Sequence, residues 1–211
     1  MIIAIDGPAA AGKGTLARRL AEKFDYAYLD TGALYRAVGL SLLNAGKSPT
    51  DEAAAIAASC DLDPSLFSDP ALRAEATGSA ASQIASIPAV RSNLLKYQVN
   101  FSNSPPENKA GAVLDGRDIG TVVCPNADRK LFITASAEER ARRRTAEIEA
   151  RGDAANFAAI LTDVKARDAR DMNRKDSPLK PAEDALLLDT TILDIDAVFL
   201  RAVEFVKAAM P

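Results

Sequence analysis

GPAAAGKGT, residues 7–15, lies between a short apolar run and a stretch with helical periodicity. It nearly matches the phosphate-loop pattern G-x-x-x-x-G-K-[ST], but Gly14 follows Lys13 and the hydroxyl comes one residue later, at Thr15. A glycine-rich loop between a strand and a helix points backbone amides at an anion, and its lysine reaches the β- and γ-phosphates of a nucleotide. The stretch therefore predicts a phosphate-binding loop.

The GKGT form resembles the loop of nucleoside monophosphate kinases rather than that of switch GTPases. The N-K-x-D guanine motif that a GTPase should carry does not occur in the chain.

The chain has 211 residues, a formal net charge of −3 and no histidine. This length predicts one substantial domain, which we place at residues 1–211. The lack of histidine excludes Ser-His-Asp and Cys-His catalysis and most catalytic zinc sites. The slightly acidic balance argues against a nucleic-acid polymer as partner, although a local arginine cluster can still attract small anions.

The two cysteines, Cys60 and Cys124, lie far apart in the sequence, and we interpret them as free thiols in a reducing cytoplasm. No apolar run approaches the roughly 18 residues that span a bilayer, so no membrane partner is expected. We interpret the first residues, MIIAIDG, as a strand rather than a signal peptide, because the stretch is short and has no basic start.

Short apolar runs alternate with longer stretches of helical periodicity along the chain. The runs cover 2–5, 27–29, 112–114, 130–134 and 185–188, and several of them end in aspartate. Helices are predicted from the glycine-rich loop to about 23, and at 33–45, 51–59, 88–102, 137–150, 156–174 and 194–209. Continuous apolar runs suit strands buried on both faces, so the pattern predicts a doubly wound α/β fold with a parallel sheet. Sites in such folds lie at the carboxyl ends of the strands.

Two stretches interrupt this alternation. Residues 61–82 are small, polar and rich in turn formers, with no alternating strand pattern, and 103–111 (NSPPENKAG) reads as a loop. We find no internal repeat and no long low-complexity segment.

Two further strings directly follow predicted strands. In LDTGALYR, residues 29–36, Thr31 is placed to cap the next helix, and Arg36 could then point at an anion near the strand ends. In LDGRDIGTVV, residues 114–123, Asp115 could support Mg²⁺ through water, and Arg117 is followed by the acidic Asp118.

Two arginine clusters lie on predicted helices. Arg140, Arg143 and Arg144 share one face of the first, where Glu139 could also pair with Arg143 in an ordinary ion pair. The second, KARDARDMNR, has charged residues with the spacing i, i+4, i+7, which stacks them on one face. These residues are Arg167, Asp171 and Arg174.

The strings GPAAAGKGT, LDTGALYR, ASQIASIPAVR and LDGRDIGTVV occur in this order, and together they resemble the bacterial cytidylate kinases. The resemblance covers nearly the whole chain and implies a P-loop nucleoside monophosphate kinase, a three-layer α/β sandwich with a five-stranded parallel sheet flanked by helices. It also implies a mobile nucleotide-binding insert at about 33–105 and a mobile lid at about 150–167. The longer family members carry strand-forming segments in the insert that 61–82 lacks, so the insert is interpreted as shortened. The family precedent is a monomer.

The resemblance implies ATP-dependent phosphorylation of CMP and dCMP to CDP and dCDP, with Mg²⁺ accompanying ATP. The residues implied to bind ATP are Gly7, Pro8, Ala9, Ala10, Ala11, Gly12, Lys13, Gly14 and Thr15. Those implied to bind CMP are Thr31, Arg36, Ser82, Arg91, Arg117, Asp118, Arg167, Asp171 and Arg174.

The implied roles agree with the chemistry of the side chains. Forked guanidinium groups at Arg36 and Arg117 suit the phosphate of the monophosphate. Arg91 can donate to O2 and N3 of cytosine, while Asp118 can accept from its exocyclic amine, and Ser82 would complete the base site. Uracil reverses the pattern at N3 and C4, so its binding would leave buried polar groups unmatched.

Phosphoryl transfer to a nucleotide does not need an imidazole base. The acceptor is a phosphate whose second pKa is about 6, so it is largely a dianion at neutral pH. Catalysis then rests on positioning and charge neutralisation. The implied catalytic residues are Lys13, Arg117, Arg143 and Arg144. Thr15 and Asp115 are candidates for the Mg²⁺ site, and whether Thr15 touches the metal or only the phosphates is left open.

Two alternatives remain at this point. One is another small-molecule P-loop kinase: a UMP/CMP, adenylate or shikimate kinase. The other is a nucleotide-binding module without transfer activity, against which the many arginines weigh. The sequence leaves the preference between CMP and dCMP open.

Overall fold

Five parallel strands form the central sheet of the computed structural model, which describes residues 1–210. The strands are β1 (Ile2–Asp6), β2 (Ala27–Asp30), β3 (Ala112–Gly116), β4 (Arg129–Thr134) and β5 (Leu186–Asp189). Their order across the sheet is β2-β3-β1-β4-β5. The predicted α/β fold, with a five-stranded parallel sheet flanked by helices, is confirmed. Pro211, the last residue of the predicted domain, lies outside the described residues.

β1 lies in the middle of the sheet and is apolar on both faces. Ile3 and Ile5 are fully buried, and Ile3 pairs with Val113 of β3. Helices cover both faces, which is why these strands read as continuous apolar runs rather than as alternating ones. Because the strands run in one direction, their carboxyl ends, marked by Asp6 and Asp30, meet at a single edge of the sheet.

Eight α-helices surround this sheet in the described chain. They are α1 (Lys13–Phe24), α2 (Thr31–Asn44), α3 (Glu52–Cys60), α4 (Glu75–Ile84), α5 (Pro88–Asn103), α6 (Ala137–Glu149), α7 (Phe157–Met172) and α8 (Ile195–Lys207). The helices predicted from the sequence are confirmed to within a few residues at each end. Aspartate side chains accept hydrogen bonds from backbone amides at the starts of α2, α3 and α8, and these bonds satisfy amides that have no partner within the helix.

The core divides into layers on the two faces of the sheet. On one face, α1 and α8 pack against β1 and β4, with Leu20 and Val206 fully buried. On the other face, Leu114 of β3 packs with Ile119, and Val99 of α5 covers this group. A further apolar cluster joins α2, α3, α4 and α5 beside the sheet. The layers fix the sheet edge on which the strand-end residues converge.

The interpretation of 61–82 as turn-rich throughout is wrong for its last part, because α4 (Glu75–Ile84) occupies it. The small residues there serve a close contact between α4 and α2. A Cβ added at Gly39 of α2 would lie 3.1 Å from the Cβ of Ala80. Small residues lower intrinsic helix propensity and resemble turn formers in sequence, yet here they let two helices approach closely.

The expected helix cap at Thr31 is also wrong. Asp30 is the N-cap of α2, and its carboxylate accepts a hydrogen bond of 3.1 Å from the backbone amide of Ala33. Thr31 is the first residue of the helix, and its hydroxyl donates to the backbone carbonyl of Asp115 at 2.8 Å. Aspartate and threonine both favour N-cap positions. Asp30 is the cap here because β2 ends at Asp30 and the helix begins at the next residue.

The division of the chain into an insert and a lid stays a prediction. Helices α3 to α5 and all but the first two residues of α2 fall within 33–105, and the loop after α6 and most of α7 fall within 150–167. In the part of the chain that the structure describes, no helix is long and apolar enough to cross a membrane.

The α4 assignment makes a prediction about stability. Ile84 is 0% exposed in the cluster with α2 and α5, whereas Ile192 is 93% exposed. We expect Ile84→Ala to lower the free energy of unfolding by about 3 kcal/mol, because it leaves a cavity in a packed core. Ile192→Ala, the matched control, should change it by less than about 0.5 kcal/mol. Urea unfolding of both variants measures the difference, and equal small effects would contradict a packed α4.

Candidate active site

A cavity of about 590 Å³ opens at the carboxyl edge of the sheet. It joins the phosphate loop to the first residues of α2, to α4, to the end of β3 and to α7. The predicted site residues that line it are Ala9, Ala10, Ala11, Gly12, Lys13, Gly14, Thr15, Thr31, Arg36, Ser82, Arg91, Asp115, Arg117, Asp118, Arg144, Arg167, Asp171 and Arg174. Gly7, Pro8 and Arg143 are the predicted residues outside this lining.

The phosphate loop takes a backbone path that only part of its sequence favours. Gly7 and Gly12 have φ angles of 144° and 89°, and a Cβ on Gly7 would lie 1.9 Å from the carbonyl oxygen of Ile133. Ala10 has a φ of 59°, in the left-handed region that glycine tolerates and alanine disfavours. The loop leads directly into α1, which begins at Lys13, so the start of that helix adds its amides to the anion site.

Lys13 is buried beneath this loop. Its Nζ donates to the backbone carbonyl of Pro8 at 2.7 Å. Burial lowers the pKa of Lys13 well below its usual range, and the positive charge of Arg117 acts in the same direction. A bound phosphate would offset both effects, because an opposite charge favours the protonated lysine.

Asp171 of α7 is the centre of a buried charge network. Its carboxylate accepts a hydrogen bond from Nε of Arg117 at 2.9 Å and a second from Arg174. Burial acts to raise the pKa of Asp171, but the neighbouring guanidiniums, Arg117 first, hold it below its usual range. A second ion pair joins Arg91 of α5 to Asp118, just after β3. These contacts bring together residues that are far apart in sequence.

The cavity contains more positive than negative charge. Arg36 and Arg167 both line it, and burial lowers the pKa of Arg36 and lowers that of Arg167 to about 9. The nearby charge of Arg117 contributes to both shifts. Nε of Arg167 and Nε of Arg174 are buried without a hydrogen-bond partner in the described structure. Buried donors without partners and mutually repelling cations suit an anionic ligand.

Asp115 ends β3 close to the phosphate loop. Tyr28 donates its hydroxyl to Oδ1 of Asp115 at 3.0 Å, and Oδ2 lies 3.7 Å from the position of a Cβ on Gly14. Burial raises the pKa of Asp115 to about 6, and the charge of Asp30 adds to this rise. A buried carboxylate beside a second one suits a cation. The described residues contain no group of three or more acidic or cysteine side chains that could hold a metal ion by themselves.

The two arginines predicted on α6 have different surroundings. Arg144 lines the cavity and pairs with Glu147 of its own helix and with Glu75, at the start of α4. Arg143 points to the far side of the phosphate loop, where it donates to the hydroxyl of Thr190 at 2.9 Å and pairs with Glu139. The expected Glu139–Arg143 pair is therefore present, and the catalytic role of Arg143 stays a prediction.

Several residues of this region are missing from the sequence-based site, among them Asp6, Arg170 and Glu75. Asp6 accepts hydrogen bonds of 2.7 Å from the backbone amides of both Ile119 and Gly120 and so holds the turn after Asp118. Arg170 lines the cavity and donates to Ser82 at 3.3 Å. Glu75 also lines it. The position of Asp6 at the end of the first predicted strand could have identified it from the sequence. Glu75 was missed because residues 61–82 were interpreted as turn-rich.

A parallel sheet, a phosphate loop at the start of α1 and an arginine-rich cavity at the carboxyl edge define a P-loop kinase fold. Solved structures with related architecture agree. A sugar kinase from Janibacter sp. HTCC2649 superposes with a TM-score of 0.53 and 14% identity over 100% of this chain and 98% of its own. An uncharacterized protein from Eubacterium ventriosum gives a TM-score of 0.56 and 13% identity, covering 99% of this chain and 98% of its own. At these identities the likeness concerns the fold alone.

Sequence comparison resolves the family. The profile of the cytidylate kinase family matches residues 3–208. A cytidylate kinase of Bradyrhizobium diazoefficiens is 54% identical over 99% of this chain and 96% of its own length. One of Brucella suis biovar 1 is 56% identical over 99% of this chain and 94% of its own length. The chain belongs to the cytidylate kinase family of nucleoside monophosphate kinases.

The environment of Asp115 predicts that Asp115→Asn changes the free energy of unfolding by an amount that depends on pH. The folded protein raises the pKa of Asp115 from 3.8 to about 6, so the folded state keeps a proton that the unfolded state loses between these values. Ionisation of Asp115 therefore costs stability as the pH rises through this interval, and the asparagine does not ionise. We expect the stability of the variant relative to the wild type to increase by about 2 kcal/mol from about pH 4 to about pH 7.

Urea unfolding in the presence of EDTA at the two pH values measures this difference without a bound cation. Asparagine keeps an oxygen that accepts from Tyr28, so loss of that contact does not enter the comparison. A stability difference that is the same at both pH values would contradict a raised pKa at Asp115.

Proposed function

We propose that this chain transfers the γ-phosphoryl group of ATP to CMP or dCMP, giving ADP and CDP or dCDP. The observation that carries the proposal is the continuous cavity. It is lined by the phosphate loop, by the ion pair of Arg91 with Asp118 and by Arg167, whose buried Nε has no hydrogen-bond partner in the described structure. In such a cavity a donor and an acceptor phosphate could meet over one group of cations. Membership of the cytidylate kinase family supports the same substrates.

ATP is the phosphoryl donor, and we place its phosphates on the loop of residues 7–15. The loop amides and Lys13 would neutralise the β- and γ-phosphates. Mg²⁺ typically binds one or two carboxylates together with substrate phosphates and waters. Asp115 and the exposed hydroxyl of Thr15 fit that requirement, directly or through water, because both line the cavity beside the loop. Bound there, Mg²⁺ would offset phosphate charge and favour the ionised form of Asp115.

The acceptor nucleotide would occupy the other end of the cavity. We assign its phosphate to Arg36 and Arg117 and its base to Ser82, Arg91 and Asp118. The Arg91–Asp118 pair presents a donor and an acceptor side by side, which matches the acceptors and the exocyclic amine of cytosine. A separate group, on α7 and directly after it, is assigned to the sugar and to further substrate contacts. It consists of Arg167, Asp171 and Arg174.

The reaction needs positioning and charge neutralisation rather than a general base. A dianionic acceptor oxygen attacks the γ-phosphorus, the bond to the ADP oxygen breaks, and negative charge spreads over the transferred group. We assign Lys13, Arg117 and Arg144 to that charge, with Arg143 as a fourth candidate. Arg144 is held by Glu75 and Glu147, so it would exchange carboxylates for phosphate when ATP binds. Closure of α4 and α7 over the substrates would also exclude water.

We further propose that the protein acts as a monomer in the cytoplasm, on small molecules rather than on nucleic-acid polymers or membranes. The formal charge of −3 and the concentration of arginines around one cavity support small anionic substrates.

A coupled assay tests the function directly. ADP release is measured with ATP and, in parallel, with CMP, dCMP, UMP, AMP or shikimate. We expect turnover with CMP and dCMP and at least about tenfold lower kcat/KM with UMP, because a mismatched base leaves buried polar groups unpaired. Lys13→Met should abolish most of the activity. Turnover with AMP or shikimate in preference to CMP would overturn the assignment.

Asp118→Asn tests the base site separately from the ATP site. Asparagine keeps the shape of the side chain but removes the charge that pairs with Arg91 and accepts from cytosine. We expect the ratio of kcat/KM for CMP over UMP to fall by about tenfold, with KM for ATP within about twofold of the wild type. Asp61→Asn, at an exposed aspartate, is the control. An effect on KM for ATP alone would show that Asp118 does not read the base.

A further inference from the structure

We propose that Thr190, which follows β5, is a positioning residue for ATP: it holds the phosphate loop in its binding conformation from the outer side. Arg140 of α6 supports the same loop at a neighbouring carbonyl. Neither residue lines the cavity, and neither would touch the nucleotide. The inference rests on the proposed binding of the ATP phosphates to the loop.

The hydrogen bonds of the Thr190 hydroxyl have a defined donor and acceptor direction. The residue is 5% exposed, and its hydroxyl lies 3.3 Å from the backbone oxygen of Ala11 and 3.1 Å from that of Thr134. Arg143 donates to the same hydroxyl oxygen at 2.9 Å and to the backbone oxygen of Thr190 at 2.6 Å. A hydroxyl has one proton to donate. Because Arg143 can only donate, this one proton is left to be shared between the two carbonyls.

A second carbonyl of the loop is held in the same way. The guanidinium of Arg140 lies 3.3 Å from the backbone oxygen of Ala9 and 3.0 Å from Oδ1 of Asp168, on α7. Arg140 is 4% exposed, and its Nε donates to the backbone oxygen of Ala135 at 3.0 Å. The position of the Arg140 side chain is thus set by three acceptors from three parts of the chain.

The two held carbonyls flank the residue whose backbone is least favourable. Ala10, with its φ of 59°, lies between Ala9 and Ala11. An alanine in the left-handed region is disfavoured because its Cβ lies too close to the following carbonyl oxygen, so the loop needs contacts that stabilise this conformation. In a trans peptide, the carbonyl and the following N–H point in opposite directions. Holding the oxygens of Ala9 and Ala11 outward therefore turns the amides of Ala10 and Gly12 away from Thr190 and Arg140, towards bound phosphate.

Loss of the Thr190 hydroxyl should therefore weaken the binding of ATP more than the binding of the acceptor nucleotide. Thr190→Val keeps the shape of the side chain and removes the hydrogen bond to Ala11. We expect KM for ATP, and the dissociation constant of a fluorescent ATP analogue measured by titration, to rise by about tenfold. KM for CMP should stay within about twofold, and Thr190→Ser, which restores the hydroxyl, should recover at least half of the loss on a logarithmic scale.

Thr77→Val is the matched control. Thr77 is 1% exposed, and its hydroxyl donates to the backbone oxygen of Ala71 at 2.8 Å, away from the phosphate loop. In urea unfolding, Thr77→Val should lower the free energy of unfolding about as much as Thr190→Val does, but it should not change ATP binding. Equal increases in KM for ATP and CMP, a similar ATP defect in Thr77→Val, or unchanged ATP binding by a folded Thr190→Val would each overturn the inference.

Failure of the inference differs from failure of the proposed function. If the wild type turns over CMP and Lys13→Met does not, the function stands whatever Thr190→Val does. If the wild type turns over no acceptor, the function fails, and the titration with the ATP analogue still tests whether Thr190 supports the loop.

Discussion

The pairing of β1 with β3 on one side and β4 on the other is the constraint on which the rest of the structure depends. It brings the phosphate loop after β1 beside the strand-end residues after β3, so residues about a hundred positions apart share one cavity. Parallel pairing requires long crossover connections, and these connections are the helices that supply α4 and α7 to the cavity walls. The chemistry of the site is thus a consequence of strand order.

The cavity concentrates positive charge that the folded protein alone compensates only in part. Asp171 pairs with two arginines, Arg117 and Arg174, but its single negative charge offsets only one of them. Asp118 pairs with Arg91, while Arg36 and Arg167 keep pKa values lowered by burial. Such an arrangement costs folding free energy and favours binding of phosphate groups, which relieve the repulsion. An enzyme that transfers a phosphoryl group between two nucleotides needs cations that are already in place, because reorganisation then costs little during the reaction.

Strong local signals explain which predictions the structure confirms. The five strands were predictable because both faces of the sheet are buried, and the phosphate loop because its glycines occupy backbone conformations that other residues disfavour. The helix α4 was not, since its alanines, serines and glycine carry little helix signal without the α2 surface against which they pack. The cap at Asp30 rather than Thr31 likewise depends on where β2 ends. Arg143 and Arg144 look equivalent in sequence, and their different neighbours, Thr190 and Glu75, come from distant segments.

The sequence by itself determined the fold class, the phosphate loop and, through four characteristic strings, the family. These features depend on local patterns of apolar, glycine and charged residues, which can be recognised in the sequence alone. Only the tertiary structure decided which charges pair, which stay free to meet a phosphate, and which side chains support the loop from behind. Those properties depend on distances between segments that are far apart in sequence, and on burial, which turns an ordinary aspartate or arginine into one with a shifted pKa.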